Sequence, residues 1–444
     1  MIRVAQLPVV KLATTLALLC TPLMLVFGFM FAFDGATAKI KPPDPMWGYL
    51  LGYVWALAIL FVILMTPIPQ RDRKALASLW VVKVGVCLGF MLFFESNYGI
   101  DSYWYFHLGM SDPEAFANAG WGNGTANVVA LSALHQAFLP GAYHALKLSF
   151  AAVGLAGVYY FYRATCLLVG RSDLRWLYAL GLTPSILFWG SILGKDPIAM
   201  LGIALFTYGV IAVYRRRRAR DAVVALLGLV IASWIRDWLA AIFLLPLVMF
   251  FVVGKGHFVR KALLILLSVI ALGYSAQVFT ERFQLDSTRA LEERASTISQ
   301  RWAIGGSAQR IEQRSMDLAD MTAFAPVGAF TALFRPLPGE VNNAFGVLAG
   351  IENSVLLLFV ALALRGGRWT KLTRPEALWI FTTIVVWAVI YGFVSYQNLG
   401  TAVRYKLQIL PMMIMLVIYL LEPRRQPVPP PPVPRGAVRT AAAR

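Results

Sequence analysis

Apolar stretches long enough to cross a bilayer recur along this chain, and that recurrence decides what it can fold into. Segments near 12–33, 47–66, 78–94, 142–162, 176–193, 197–214, 222–235, 238–254, 262–279, 343–364, 376–394 and 404–421 are dominated by apolar side chains. Many reach the ~18 residues that mark a membrane helix. Of the 444 residues, 59% are hydrophobic and 14% charged, whereas a soluble chain is ~45–50% apolar and ~25% charged. No soluble domain has the interior to bury so much. The expected fold is an all-α polytopic membrane protein of about twelve transmembrane helices.

The net charge of +18 then follows from topology rather than from nucleic-acid binding, and no nucleic-acid partner is expected. The linkers after segments 2, 4, 6, 8 and 10, together with the two termini, hold 25 of the 40 basic residues. They hold five of the 22 acids: Asp72, Asp173, Asp221, Glu376 and Glu422. Basic residues on every second linker put that side, and both termini, in the cytoplasm. The first apolar run follows Arg3 and Lys11 and exceeds a ~7–15-residue signal core, so it is expected to be retained as a helix.

Residues 1–421 form the expected bundle, with two structured outer loops near 95–141 and 280–342. Inside the second loop, helices are expected at about 286–302 and 308–321, broken at Gly305-Gly306. In the first, Asn127 to Leu139 reads as a short helix along the membrane surface. Residues 422–444, rich in Pro and Arg, are expected to be a disordered cytoplasmic tail. Cys20, Cys87 and Cys166 lie in or beside apolar segments without any metal-ligand spacing, which gives neither a disulfide framework nor a zinc site.

Ionisable residues at membrane depth are costly, so each is a functional candidate. Four clusters gather at the expected outer boundary. Asp101 stands among Tyr103, Trp104, Tyr105 and His107. It suits a general base for a sugar hydroxyl, with aromatic faces for sugar rings; a solvated Asp in an interfacial aromatic belt is the plainer reading. Lys195-Asp196-Pro197 closes a tight turn. Lys195 can hold a phosphate as a point charge, or it can neutralise an Asp196 that caps the next helix. Arg236-Asp237 can be a substrate cation or a self-satisfied pair. Arg335, Glu352, Arg404 and Lys406 make the fourth cluster. Arg404 sits where topology asks for no positive charge, and its planar fork matches phosphate oxygens; Lys406 can instead snorkel to headgroups. Lys83 is the one basic residue expected deep within a span. No nucleotide-binding glycine motif is present, which favours a lipid-linked donor over ATP-driven transport.

Four stretches carry a family likeness. They are Asp101-Ser102-Tyr103 with Tyr105, Pro184-Ser185 through Trp189-Gly190-Ser191 to Lys195-Asp196, Phe334-Arg335-Pro336 with Glu340 and Glu352-Asn353, and Asn398-Leu399-Gly400-Thr401 to Arg404-Tyr405-Lys406. Over about 95–415 the chain resembles bacterial GT-C-like membrane glycosyltransferases and the Wzy- and EpsG-type polysaccharide polymerases. The typical GT-C carboxylate follows the first helix, where this chain has Asp34; its best counterpart here, Asp101, follows the third. The likeness implies transfer or polymerisation of a polyprenyl-linked oligosaccharide at the outer face of the bacterial inner membrane. Membrane lipid and other envelope glycan-assembly proteins would be its partners. Asp101 is then the favoured base and Glu352 the reserve. Arg404 and Arg335 would hold the pyrophosphate with Lys195, Lys406 and Arg236 nearby, while Tyr103, Trp104, Tyr105 and His107 would line the sugar path. No cofactor is expected, except a divalent cation under the alternative of a GT-C monomer transferase using a polyprenyl-phosphate sugar. A lipid-linked glycan flippase is the second alternative.

Overall fold

The computed structural model describes residues 45–97, 101–253, 318–341, 343–366 and 369–423, with single helical positions between 266 and 277. The segments near 12–33 and 262–279, the helices expected at 286–302 and most of 308–321, and the tail after 423 lie outside the described residues.

Sixteen α-helices follow one another among the described residues, with no strand. They are α1 Pro45–Met65, α2 Gln70–Gly85, α3 Met91–Asn97, α4 Ser102–Ser111, α5 Gly124–Phe138, α6 Tyr143–Val169, α7 Leu174–Leu182 and α8 Pro184–Trp189. Then come α9 Lys195–Arg216, α10 Ala219–Ile235, α11 Trp238–Val253, α12 Leu318–Phe334, α13 Ala344–Arg365, α14 Pro375–Gln397, α15 Leu399–Lys406 and α16 Leu410–Leu421. Six helices, counting α2 and α3 as one, are long and apolar enough to cross a membrane; α15 and α16, bent by 64°, make a seventh if they form one span. The chain is a helical protein built for a membrane.

The apolar stretch 176–193, read as one helix, is two short ones, α7 and α8. Pro184 opens α8 and forces Thr183 into an extended conformation, because the residue before a proline avoids helical angles. In the region expected as outer loop 280–342, α12 runs over Leu318–Phe334 and packs antiparallel on α14. Phe324 meets Tyr396 at 4.6 Å, and Gly328 lies directly against Gly392.

Two ends of the bundle can be told apart. At one, the basic end, Arg215 pairs with Glu376, and Arg171 with Asp173 and Glu422. At the other, α6 and α9 begin while α10 ends. Helices α9 and α10 touch through small residues: a Cβ on Gly202 would lie 2.6 Å from the Ala232 nitrogen, and one on Gly209 2.4 Å from that of Ala225. Such contacts let membrane helices approach backbone to backbone. Their antiparallel course brings Arg236, just past α10, beside the first turn of α9.

Candidate functional site

Asp196 lies in the first turn of α9 and is 3% exposed. Its Oδ1 accepts from Arg236 Nη2 at 3.1 Å and its Oδ2 from Arg404 Nε at 2.7 Å. Both arginines also rest on aromatic rings: Arg236 over Tyr405 at 4.7 Å and Arg404 over Trp189 at 5.3 Å. Cation–π contact of this kind adds to a buried ion's stability. Asp196 therefore does not cap its helix as expected, since Gly194 holds the N-cap position without a side-chain bond, and Arg236 turns to a carboxylate forty positions away. Asp237 Oδ1 accepts the Trp238 N–H at 3.0 Å.

The cluster is recessed. Gly157 of α6 lies against Leu201 of α9, which at ~1.5 Å per residue sets Asp196 roughly 13 Å below the start of α6. Above it sit α4 and α5, each docked by polar bonds. Ser102 Oγ donates to the Leu193 carbonyl at 2.9 Å, and Asn127 Nδ2 to the Trp234 carbonyl at 2.6 Å. A Cβ on Gly124 would fall 2.4 Å from the Ile235 carbonyl oxygen, so only glycine lets α5 come so close. From the next residue, Thr125 Oγ1 accepts from Lys195 Nζ at 2.6 Å.

Asp101, exposed at the head of α4, is close enough for its charge to act on Lys195 and Tyr105. Tyr105 is buried beside Asp101, Arg404 and Asp196. Burial, and then the Asp101 charge, push its phenol up to about 12, so it remains a neutral hydrogen-bonding group at physiological pH. Its neighbours differ. Tyr103 packs on Phe106 and Tyr143, Trp104 is exposed, and His107, also exposed, faces Ser111 one turn on.

Short helix α8 carries Trp189 beneath Arg404, and it is held at both ends by opposite charge. At its start, Glu352 Oε2 accepts the Ser185 N–H at 2.6 Å. At its finish, Lys83 Nζ donates to the Gly190 carbonyl and to Ser191 Oγ, each at 2.8 Å. An anion at the N-terminus and a cation at the C-terminus both oppose the helix dipole. Lys406 is buried between Asn353 Oδ1, which accepts its hydrogen bond, and Glu352 at 3.9 Å. Lys406 is thus turned into the protein rather than toward headgroups. Lys83 is joined at depth by Lys147, fully buried against Glu95 at 2.7 Å. That pair was hidden because Lys147 sits near the start of an apolar run whose covering elements come from elsewhere in the chain.

A cavity of about 530 Å³ opens beside the cluster, with Arg404 and Trp189 in its wall. Pro336 also lines it, next to Arg335, whose Nε donates to Glu340 Oε1 at 2.7 Å. The Pro336 carbonyl accepts from Asn353 Nδ2 at 2.8 Å. The structure thus brings Asp101, Tyr105, Lys195, Arg236 and Arg404 together around Asp196. Arg335, paired with Glu340, adjoins the lining residue Pro336, and Glu352 lies behind the wall at Ser185 with Lys406 beside it. Among the described residues, no three His, Cys, Asp or Glu side chains come together as metal ligands.

Sequence reasoning had flagged the cations but not the centre on which they converge. The partners of Asp196 are 40 and 208 residues away, and Trp189 carried no signal beyond its motif. Comparison with family models, with curated proteins and with solved structures found no match to this chain.

Proposed function

We propose that this chain transfers or polymerises a polyprenyl-pyrophosphate-linked glycan at the outer face of the bacterial inner membrane. In this reading it forms a GT-C-like bundle of about twelve spans with both termini cytoplasmic, as the distribution of basic linkers favours. The observation that carries the proposal is the excess of cation around one buried carboxylate. Arg236 and Arg404 share the single carboxylate of Asp196, Lys195 stands alongside, and Arg236 Nη1 is buried with no hydrogen-bond acceptor. Buried polar groups are nearly always satisfied, and a bound phosphate oxygen would satisfy this one.

The chemistry follows from the parts. An acceptor hydroxyl attacks the anomeric carbon, the bond from that carbon to the phosphate oxygen breaks, and the pyrophosphate departs with the bonding pair. Arg404 and Arg236 stabilise the charge that grows on the leaving oxygen, with Lys195 as a mobile point charge. Asp101, exposed at the head of α4, accepts the hydroxyl proton. Asp196 is unsuited to that task because both of its oxygens are taken up by guanidiniums; it positions them instead. Glu352 is likewise engaged in holding α8. Exposed Trp104 offers a face to the sugar. This displacement needs no protein nucleophile.

The test is the glycan profile of a deletion strain carrying wild type, Arg404→Ala or Asp101→Asn. Single repeat units should accumulate on the carrier lipid and be rescued only by wild type. A repeat unit lacking one sugar would mark a monomer transferase, and complete units stranded on the inner leaflet would mark a flippase. An unchanged profile would remove the proposal.

A further inference from the structure

The cavity beside Arg404 has a lining that the ionic cluster does not explain. Five aromatic rings from four parts of the chain meet there: Phe90, Phe94, Phe188, Trp189 and Phe345. They pack mostly edge to face, with Phe94 at 4.8 Å from Phe345, 5.0 Å from Phe188 and 6.1 Å from Trp189. Together they form one continuous apolar wall that begins at Trp189, directly under the Arg404 guanidinium.

The backbone is bent to build this wall. Between α2 and α3 the chain makes a π-helical turn over Val86–Phe90. Val86, Phe90 and Phe94, four apart, all line the cavity. On a regular α-helix each step of four residues turns the side chain by about 40°, so three in a row would drift off one surface. The wider π turn keeps them aligned, and such turns often mark functional sites.

A ligand for this space must be an amphiphile, with an anionic head on Arg404 and an apolar body along the rings. The volume falls within the ~300–1,000 Å³ of small-molecule sites, so it accepts the near end of a long chain and leaves the rest in the bilayer. Chain shape also matters. Methyl branches bring more atoms against the rings over the same length of chain than a straight acyl chain does, and each added contact gains dispersion energy. A chain with a methyl branch at regular intervals fills it better. We propose that the cavity seats the phosphate-proximal isoprenoid units of the carrier lipid and selects them over straight acyl chains. This inference rests on the lipid-linked reading above.

The experiment uses the purified full chain in nanodiscs and a benzophenone-bearing farnesyl phosphate. Photolabelling should fall on peptides containing Phe188 or Phe345. Unlabelled geranylgeranyl phosphate should compete about tenfold better than dodecyl phosphate or phosphatidic acid. Ala349→Phe, which fills the cavity from its wall, should cut labelling about tenfold. Phe345→Leu, a milder change kept in case the first variant misfolds, should narrow the preference for the branched competitor. Equal competition by dodecyl phosphate, or labelling confined to bilayer-facing peptides, overturns the inference. The two proposals fail separately. Selective labelling with an unchanged glycan profile in Arg404→Ala cells would leave the cavity assignment standing and remove the transferase. Loss of polymer in those cells with unselective labelling would do the reverse.

Discussion

The two ends of the bundle use the same residue types to opposite effect. At the basic end the arginines that form ion pairs are partly open to solvent. Arg171 bonds Asp173 at 3.1 Å and Glu422 at 2.6 Å with its side chain 30% exposed, and Arg215 bonds Glu376 at 2.7 Å with 32% exposure. Lys371 meanwhile donates to the last carbonyls of α16. At the other end Asp196 serves two arginines as Asp173 does, but Arg236 is only 5% exposed there, while Arg404 is 28% exposed and a lysine stands close by. Wet pairs hold helix ends in place and add little free energy each. Enclosing Arg236 against Asp196 is costlier, because both charges leave water. Ion pairs are not informative by their number; the access of water decides what they do.

Breaking the centre of the enclosed cluster should have the largest effect. Asp196→Asn leaves the buried Arg236 and the half-buried Arg404 without their shared counter-charge, and removing one partner of a buried pair costs about 3–5 kcal/mol. Thermal unfolding of the purified protein should register it, and a variant as stable as wild type would erase the difference between the two ends. Next come the clamps on α8. Glu352→Gln or Lys83→Met should each cost about 1–3 kcal/mol, the penalty for a buried hydrogen-bonding group losing its partner. Both should also alter Trp189 emission, since that ring ends the clamped helix.

Acid sharpens the contrast further. Burial pushes the His135 imidazole down to about 4, and its Nε2 lies 2.8 Å from Ser149 Oγ. The unfolded chain takes up this proton below about 6.5, while the folded one resists until about 4. Stability should therefore fall as pH drops through that window, and His135→Gln should flatten the fall. At the basic end, burial raises the Asp173 carboxyl, but the bonds from Arg175 and the Arg171 charge outweigh this and hold it below its usual range. Its contribution is present above the ordinary carboxylate value and is lost only at still lower pH, so the basic end should respond second. The smallest effect is expected from Arg171→Ala, about 1 kcal/mol or less in the same melting assay.

The all-helical, membrane-spanning character was readable from the sequence because apolar length is a local signal. The helix at Gly124–Phe138 came close to its expected place, and Arg404 stood out by its charge alone. What stayed hidden depended on pairing across the fold. Asp196 looked like a cap because Pro197 follows it, and nothing near Arg236 points back to residue 196. The stretch 176–193 looked like one span because its composition is apolar throughout, and only the backbone restriction imposed by Pro184 divides it. Lys147 and Glu95 are each ordinary in their own segment; their neutralisation exists only where α2–α3 and α6 meet.

Helix α15 carries Arg404, Tyr405 and Lys406 in succession, and each serves a different neighbour: Asp196, the Arg236 guanidinium, and the Glu352–Asn353 pair. Consecutive residues leave a helix about 100° apart, so the three directions are tied to one another like the teeth of a key. Its N-cap, Asn398, fixes the first turn by accepting the Thr401 N–H at 3.1 Å. During divergence, residues between Asn398 and Arg404 are free to change identity but not number. A single insertion there would turn all three side chains to the wrong partners at once, while one at the bend over 407–409 would leave them in register. Relatives of this chain should therefore be recognisable by an invariant spacing from asparagine to arginine, even where little else of the sequence survives.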